Sequence, residues 1–211
     1  YENDFLNYNF LSMPLFRQSY DASRKWLKSI DTAAAERQIP VQMCMALPSD
    51  LMQSVELNTV TNYRASGDYA FAGNYDMGGS SLLAFALDLR PSKDNFWTHR
   101  PQSAIDTGRP WPTNYNPGSN CELNTIISTL STGPVGIGDK AGDTNKTLVM
   151  RSIRLDGLIL QPDRPASCID AMFLQSLPSS RTRLVGKVWT TMSAVASNSV
   201  AAVWHYILSI N

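Results

Sequence analysis

The sequence predicts an α/β chain: βα units feeding a parallel sheet over residues 1–155, followed over 156–211 by the beginning of an all-β unit. Two observations predict it. Up to residue 140, short strand-like runs alternate with helical patterns of about ten residues, which is the rhythm of βαβ units. Beyond Arg154 that rhythm stops. Asp156-Gly157 is a turn signal, Pro162 and Pro165 break the chain, and Leu184 to Ile210 carries β-branched and aromatic runs without helical period.

In chain order, Tyr1-Glu2-Asn3 is a short strand-like run ending at Asp4. From Gln18 to Gln38, residues Trp26, Leu27, Ile30, Ala33 and Ala34 recur at helical spacing, Asp21 is placed to cap the helix, and Pro40 stops it. Trp26 belongs to that apolar stripe and is expected in the core. Val41 to Ala46 reads as a buried strand closed by Pro48, with a helix from Ser49 or Asp50. The step repeats with a strand at Val60–Arg64, a polar and aromatic loop from Ala65 to Gly79, and a helix at Ser80–Leu89. Arg90 to Trp97 is a short strand or loop, and it opens a Pro-, Gly- and Asn-rich connection from Thr98 to Asn120 of the kind that often carries function.

Glu122 to Leu130 is helical, with Leu123, Ile126, Ile127 and Leu130 on one face. Pro134 to Gly138 is an apolar strand with Asp139 at its end, and Thr144 to Ile153 a further helix. In the last unit, Val200 to Ile210 is apolar throughout and reads as a central strand. The count before residue 140 is four or five strands, whereas a closed parallel barrel needs eight. The chain is therefore either an open sheet or the C-terminal half of a (β/α)8 TIM barrel whose first half lies upstream. A first residue that is Tyr rather than a charged leader start favours the second.

Composition excludes several partners. The 18 basic and 18 acidic residues cancel, which leaves no electrostatic footprint for nucleic acid or an acidic membrane surface. No apolar run is long enough to span a bilayer. Cys44, Cys121 and Cys168 lack metal or redox spacing and read as buried thiols, while His99 and His205 have no partners at metal spacing, so no metal and no cofactor is expected. The sequon Asn145-Lys146-Thr147 permits glycosylation if the protein is secreted, and the compartment and the oligomeric state stay open.

The chemistry-bearing residues are two aspartates. Asp4 ends the first strand-like run, and Asp68 closes Arg64-Ala65-Ser66-Gly67-Asp68-Tyr69, a spacing that fits two successive βα units. Carboxyl ends of neighbouring barrel strands open into one cleft, and two converging carboxylates are the minimum equipment for glycoside hydrolysis.

Several segments carry a resemblance in a common order. Arg64-Ala65-Ser66-Gly67-Asp68-Tyr69 resembles R-A-S-x-D-F, and Gly133-Pro134-Val135-Gly136-Ile137-Gly138-Asp139-Lys140 resembles G-G-P-V-Y-V-S-D-K. Leu155-Asp156-Gly157-Leu158-Ile159-Leu160 with Arg164-Pro165 resembles L-P-D-G-S-I-L-R followed by G-R-P. Met43-Cys44-Met45-Ala46 is similar to a C-M-S strand, and Lys187-Val188-Trp189 to a K-I-W that opens a C-terminal β-domain. These motifs belong to the retaining α-glycosidase clan, in its raffinose synthase and alkaline α-galactosidase branch, and the matches span nearly the whole chain.

The resemblance implies barrel strands four to eight, with Asp4 as nucleophile at the end of strand four and Asp68 as acid/base at the end of strand six. Two positions depart from the family. Glu2 stands where the family has Lys, and Pro91-Ser92-Lys93-Asp94-Asn95-Phe96 stands for P-D-W-D-M-F, with Trp97 as a replacement ring. A shifted substrate preference is implied. The expected partner is a carbohydrate substrate, bound by Arg64, by Asp94 accepting from sugar hydroxyls, and by Trp97 as a flat apolar face. Structural roles weigh against each of these: Asp4 as a solvated acid, Asp68 as an Asx turn, Arg64 as an ion-pair partner, Trp97 as a packing aromatic. Asp139 reads mainly as a strand-to-helix turn. The functional expectation is a retaining glycoside hydrolase or transglycosylase for α-linked sugars, and the alternative is a catalytically impaired carbohydrate-binding homologue.

Overall fold

A computed structural model of the chain describes residues 1–67, 77–99, 120–172, 188–196 and 201–209. Four strands, β1 (Glu2–Asn3), β2 (Val41–Met43), β3 (Val60–Arg64) and β4 (Arg90–Ser92), pair side by side in sequence order, all parallel. Helices link them: α1 (Leu6–Ser12), α2 (Pro14–Gln18) and α3 (Ala22–Ala35) lead to β2, α4 (Pro48–Gln53) and a 3-10 turn at Ser54–Glu56 lead to β3, and α5 (Gly78–Ala86) precedes β4. One further parallel contact extends the series, where Phe96 bridges Ile137 through Phe96 N–H to Gly136 C=O (3.2 Å) and Gly138 N–H to Phe96 C=O (2.9 Å).

Strand alternation sends Met43 and Tyr63 toward the helices, where Leu6, Leu27, Leu51, Leu57, Ala84 and Leu89 close a core over that face of the sheet. Each such Leu or Met side chain contributes about 1.5–3 kcal/mol on burial. Asp31 of α3 fastens the helix to the entry of β3, because its Oδ1 accepts both the Thr59 N–H (2.8 Å) and the Thr59 hydroxyl (2.6 Å). α4 starts at Pro48, which has no N–H to lose, and Asp50 reaches back to accept the Leu47 N–H at 2.8 Å.

The second sheet is antiparallel, in the order β5 (Ser167–Cys168), β6 (Val188–Ala196), β7 (Ala201–Ser209). It does not stand apart from the first. Ala65 and Met77 from the βα part, Ile127 of α6 (Cys121–Leu130), and Ala166, Cys168 and Trp189 from the β part form one buried cluster across the boundary expected near residue 155. At Gly78 the approach is closest: a Cβ there would lie 2.7 Å from Cys168 Sγ and 2.8 Å from Trp189 Nε1, so only glycine fits.

The mixed α/β class and the parallel-then-antiparallel order agree with the sequence. No closed barrel is present among the described residues. The Pro134–Gly138 strand reduces to the single bridge at Ile137, and the helix expected over Thr144–Ile153 reduces to α7 (Lys146–Val149), capped by the Asn145 side chain accepting the Leu148 N–H. Asp21 is the N-cap residue of α3, but its carboxylate takes the Lys25 ammonium (2.5 Å) and the Ser19 hydroxyl (3.2 Å) rather than helix N–H groups. The Val200–Ile210 segment is corrected most clearly. Among the described residues β7 ends the strand order and leaves Val203, Trp204, Tyr206 and Ile207 exposed, so there apolar composition alone did not distinguish a central strand from an edge. None of the described helices is long and apolar enough to cross a membrane.

Candidate active site at the carboxyl edge of the parallel sheet

On the sheet face opposite the helices, alternation lines up a polar row. The paired positions Glu2, Gln42, Asn62 and Arg90 run across the four strands, with Asn62 Nδ2 donating to Gln42 Oε1 (2.6 Å) and Gln42 Nε2 donating to Glu2 Oε1 (3.3 Å). Two residues further along each strand, toward the carboxyl ends, stand Asp4, Cys44, Arg64 and Ser92. The register therefore brings Asp4 and Arg64 to the same edge of the same sheet.

Asp4 is half-buried there, and Phe5 N–H donates to its Oδ1 at 2.7 Å. Glu2, Asp4 and Cys44 gather so that one oxygen or sulphur from each lies within 4.8 Å of the others. Burial, followed by thiol hydrogen bonds to the Asp4 and Glu2 carboxylates, pushes the Cys44 thiol far above its ordinary pKa. Such a thiol stays protonated and donates. A metal ligand must be a thiolate, so this donor set does not suit a metal; it suits holding the Asp4 carboxylate in place.

Arg64 and Asp94 form an ion pair (3.3 Å) with both side chains largely enclosed. Ser66 Oγ accepts the Asp94 N–H at 2.9 Å and the Ser80 hydroxyl donates to Ala65 C=O at 2.9 Å, which ties the exits of β3 and β4 to the start of α5. Asp68 lies outside the described residues, and so does the long connection expected over Thr98–Asn120 apart from Thr98, His99 and Asn120. Trp97 is only 7% exposed and is a packed residue rather than an open platform in this arrangement. Asp139 accepts the Thr98 N–H (2.8 Å) and the Thr98 hydroxyl, a strut between two loops that accords with its reading as a turn residue.

Backbone strain marks the same edge. Among the described residues six non-glycine positions have positive φ. Gln38 and Asp88 follow helices whose ends they close, Thr132 comes just after α6, and Asn120 belongs to a residue type that tolerates this conformation. Phe5 (φ 57°) and Met45 (φ 50°) have no such excuse. They directly follow Asp4 and Cys44, and left-handed backbone in bulky residues, costing about 1–3 kcal/mol each, collects at functional sites.

One residue escaped the sequence reading. Lys93, immediately past β4 and next to Asp94, is only 4% exposed. Burial lowers its pKa to about 8, with Asp94 raising and Arg64 lowering it in smaller measure. A lysine in a Pro-Ser-Lys-Asp run looks like an ordinary solvated loop cation, so no signal short of the fold distinguishes it. No protein-family model, curated protein or solved structure matches the chain.

Proposed function

We propose that this chain is the catalytic part of a retaining glycoside hydrolase or transglycosylase acting on α-linked sugars, with Asp4 as nucleophile and Asp68 as acid/base. In this reading β1 to β4 and the Ile137 segment are strands four to eight of a (β/α)8 barrel completed by further βα units, and the polar row faces its lumen. The observation that carries the proposal is the shared carboxyl edge: Asp4, Arg64 and Asp94 stand at or just beyond the ends of neighbouring parallel strands, where barrel enzymes hold their chemistry. The ordered motif resemblance supplies the sugar.

The steps follow from the residues. Asp4 Oδ attacks the anomeric carbon while the glycosidic C–O bond breaks, its electron pair going to the leaving oxygen, which takes the proton of Asp68. Water, or an acceptor sugar hydroxyl, then attacks the same carbon, gives its proton to the Asp68 carboxylate and releases Asp4. Two inversions give retention. The Phe5 N–H and the Cys44 thiol orient Asp4 for the attack, and Asp94, held by Arg64, accepts from sugar hydroxyls.

A second reading has a specific observation in its favour. Glu2 sets a like charge beside Asp4 where the resembled family has Lys, which suits a carbohydrate-binding homologue with impaired turnover. Hydrolysis of aryl α-glycosides, with product configuration followed by NMR, separates the two. The proposal expects turnover with retained configuration, and expects Asp4→Asn to lower kcat by about four orders of magnitude and to abolish covalent labelling by an α-configured cyclitol aziridine. Neither hydrolysis nor labelling of the wild-type protein would sink the enzyme reading.

A further inference from the structure

We propose that Phe5, backed by Tyr8, is a stacking platform beside Asp4 for the apolar C–H face of a pyranose ring. The inference rests on the sugar-binding reading of this edge, though not on turnover. Phe5 directly follows Asp4, and its N–H donates to Asp4 Oδ1 at 2.7 Å, which holds the carboxylate against the backbone that carries the ring. Strand alternation would send residue 5 the way of Asn3, which lies among Leu27, Val41 and Met43 on the helix side of the sheet. The left-handed backbone at Phe5 (φ 57°) breaks that alternation, and the side chain stays 54% exposed instead of entering the core. Two hydrogen bonds hold the turn in place. The Leu6 N–H donates to Cys44 C=O (3.4 Å) and the Asn7 N–H to Met45 C=O (2.9 Å), tying the chain after Phe5 to the exit of β2. Among the described residues the Phe5 ring meets one other ring, that of Tyr8, itself 56% exposed, edge to face at 5.8 Å and 72°.

A bulky residue at positive φ is strained, and a half-exposed phenyl gains too little from burial to offset that strain. Glycine or asparagine would make the same turn with less of it. A ring in this position therefore serves contact with something outside the fold. Its surroundings select the ligand. The Asp4 carboxylate, at the preceding residue, gathers with that of Glu2, and both accept hydroxyl groups. A wholly apolar partner would take water from these carboxylates and return no hydrogen bond. A pyranose carries both parts, a C–H face for the ring and hydroxyls for the carboxylates. Trp97, the platform expected from the sequence, is packed at 7% exposed, and Phe5 with Tyr8 supplies the open aromatic surface at this edge among the described residues.

The test titrates Asp4→Asn protein, whose amide oxygen can still accept the Phe5 N–H, with methyl α-galactopyranoside and methyl α-glucopyranoside, and with cyclohexanol as an apolar control. At least one glycoside should bind with its ring C–H protons shifted upfield in NMR by the Phe5 ring current, and cyclohexanol should bind roughly tenfold more weakly or worse. Adding Phe5→Asn removes the ring and suits the left-handed backbone. It should weaken glycoside binding roughly tenfold and erase the upfield shift, whereas Phe5→Trp should keep both. The melting temperature of Phe5→Asn should hold or rise, so that lost binding is not lost folding. Binding of neither glycoside, no upfield shift, affinity unchanged by Phe5→Asn, or cyclohexanol bound as tightly as the sugars overturns the proposal. Self-association that Phe5→Asn abolishes overturns it too, since the ring would then belong to an interface between copies. Stacking without any turnover or labelling by the wild-type protein sinks the hydrolase and leaves this platform standing, and turnover with sugar binding indifferent to Phe5 does the reverse.

Discussion

At the scale of single residues, buried acids do two different jobs in this chain. Asp50 is desolvated with one N–H donor, and burial pushes its carboxyl above the ordinary range despite the Leu47 hydrogen bond. Asp31 is desolvated too, but the Thr59 hydroxyl and backbone, helped by Asn58 and Lys28, outweigh that cost and leave its pKa below the ordinary value. The sign of the linkage follows. A folded pKa below the unfolded value of about 3.9 means that the unfolded chain binds the proton more readily, so the contribution of Asp31 is fully present above that value and is lost as pH falls through the folded one. Asp31→Ala should destabilise the protein by about 1–3 kcal/mol at pH 7, with the gap closing in acid. Urea denaturation of both proteins at pH 7 and pH 3 checks this; a gap that does not change with pH contradicts it. Lys93 belongs to the same scale. Its chemistry comes from enclosure, which a one-dimensional reading of a charged residue in a polar run does not contain.

At the scale of elements, the legible parts were those with a local cause. Val60–Arg64 is the strand the β-branched run predicts, and α3 lies inside the helical stripe that Pro40 terminates. α3 closes with the Ile39 N–H on Ala34 C=O (3.0 Å) and the Gln38 N–H on Ala35 C=O (3.1 Å), with Gln38 exposed and left-handed at φ 54°. Glycine adopts that conformation without a Cβ penalty. Gln38→Gly should therefore stabilise the protein by about 1 kcal/mol, read as a rise in melting temperature. No change or a loss would show that the Gln38 side chain offsets the strain. The elements that went wrong depend on partners instead. Among the described residues, β7 is as apolar as a central strand yet has a neighbour on one side only, and Pro134–Gly138 has the composition of a strand but pairs at one residue.

At the scale of the whole molecule, the parallel sheet and the β-hairpin unit share a core through Met77, Cys168 and Trp189, so the exit of β3 is braced from the side of the second sheet. The sequence named Asp4, Arg64 and Asp94 from spacing and motif, and parallel register explains their meeting at one edge; Asp4 carries strain at Phe5 and support from Cys44 that no spacing rule contained. If Asp4 and Asp68 work as one catalytic pair, a crystal structure should show their carboxyl groups about 5 to 5.5 Å apart, the distance a retaining mechanism requires, and a separation above about 10 Å would rule the pair out.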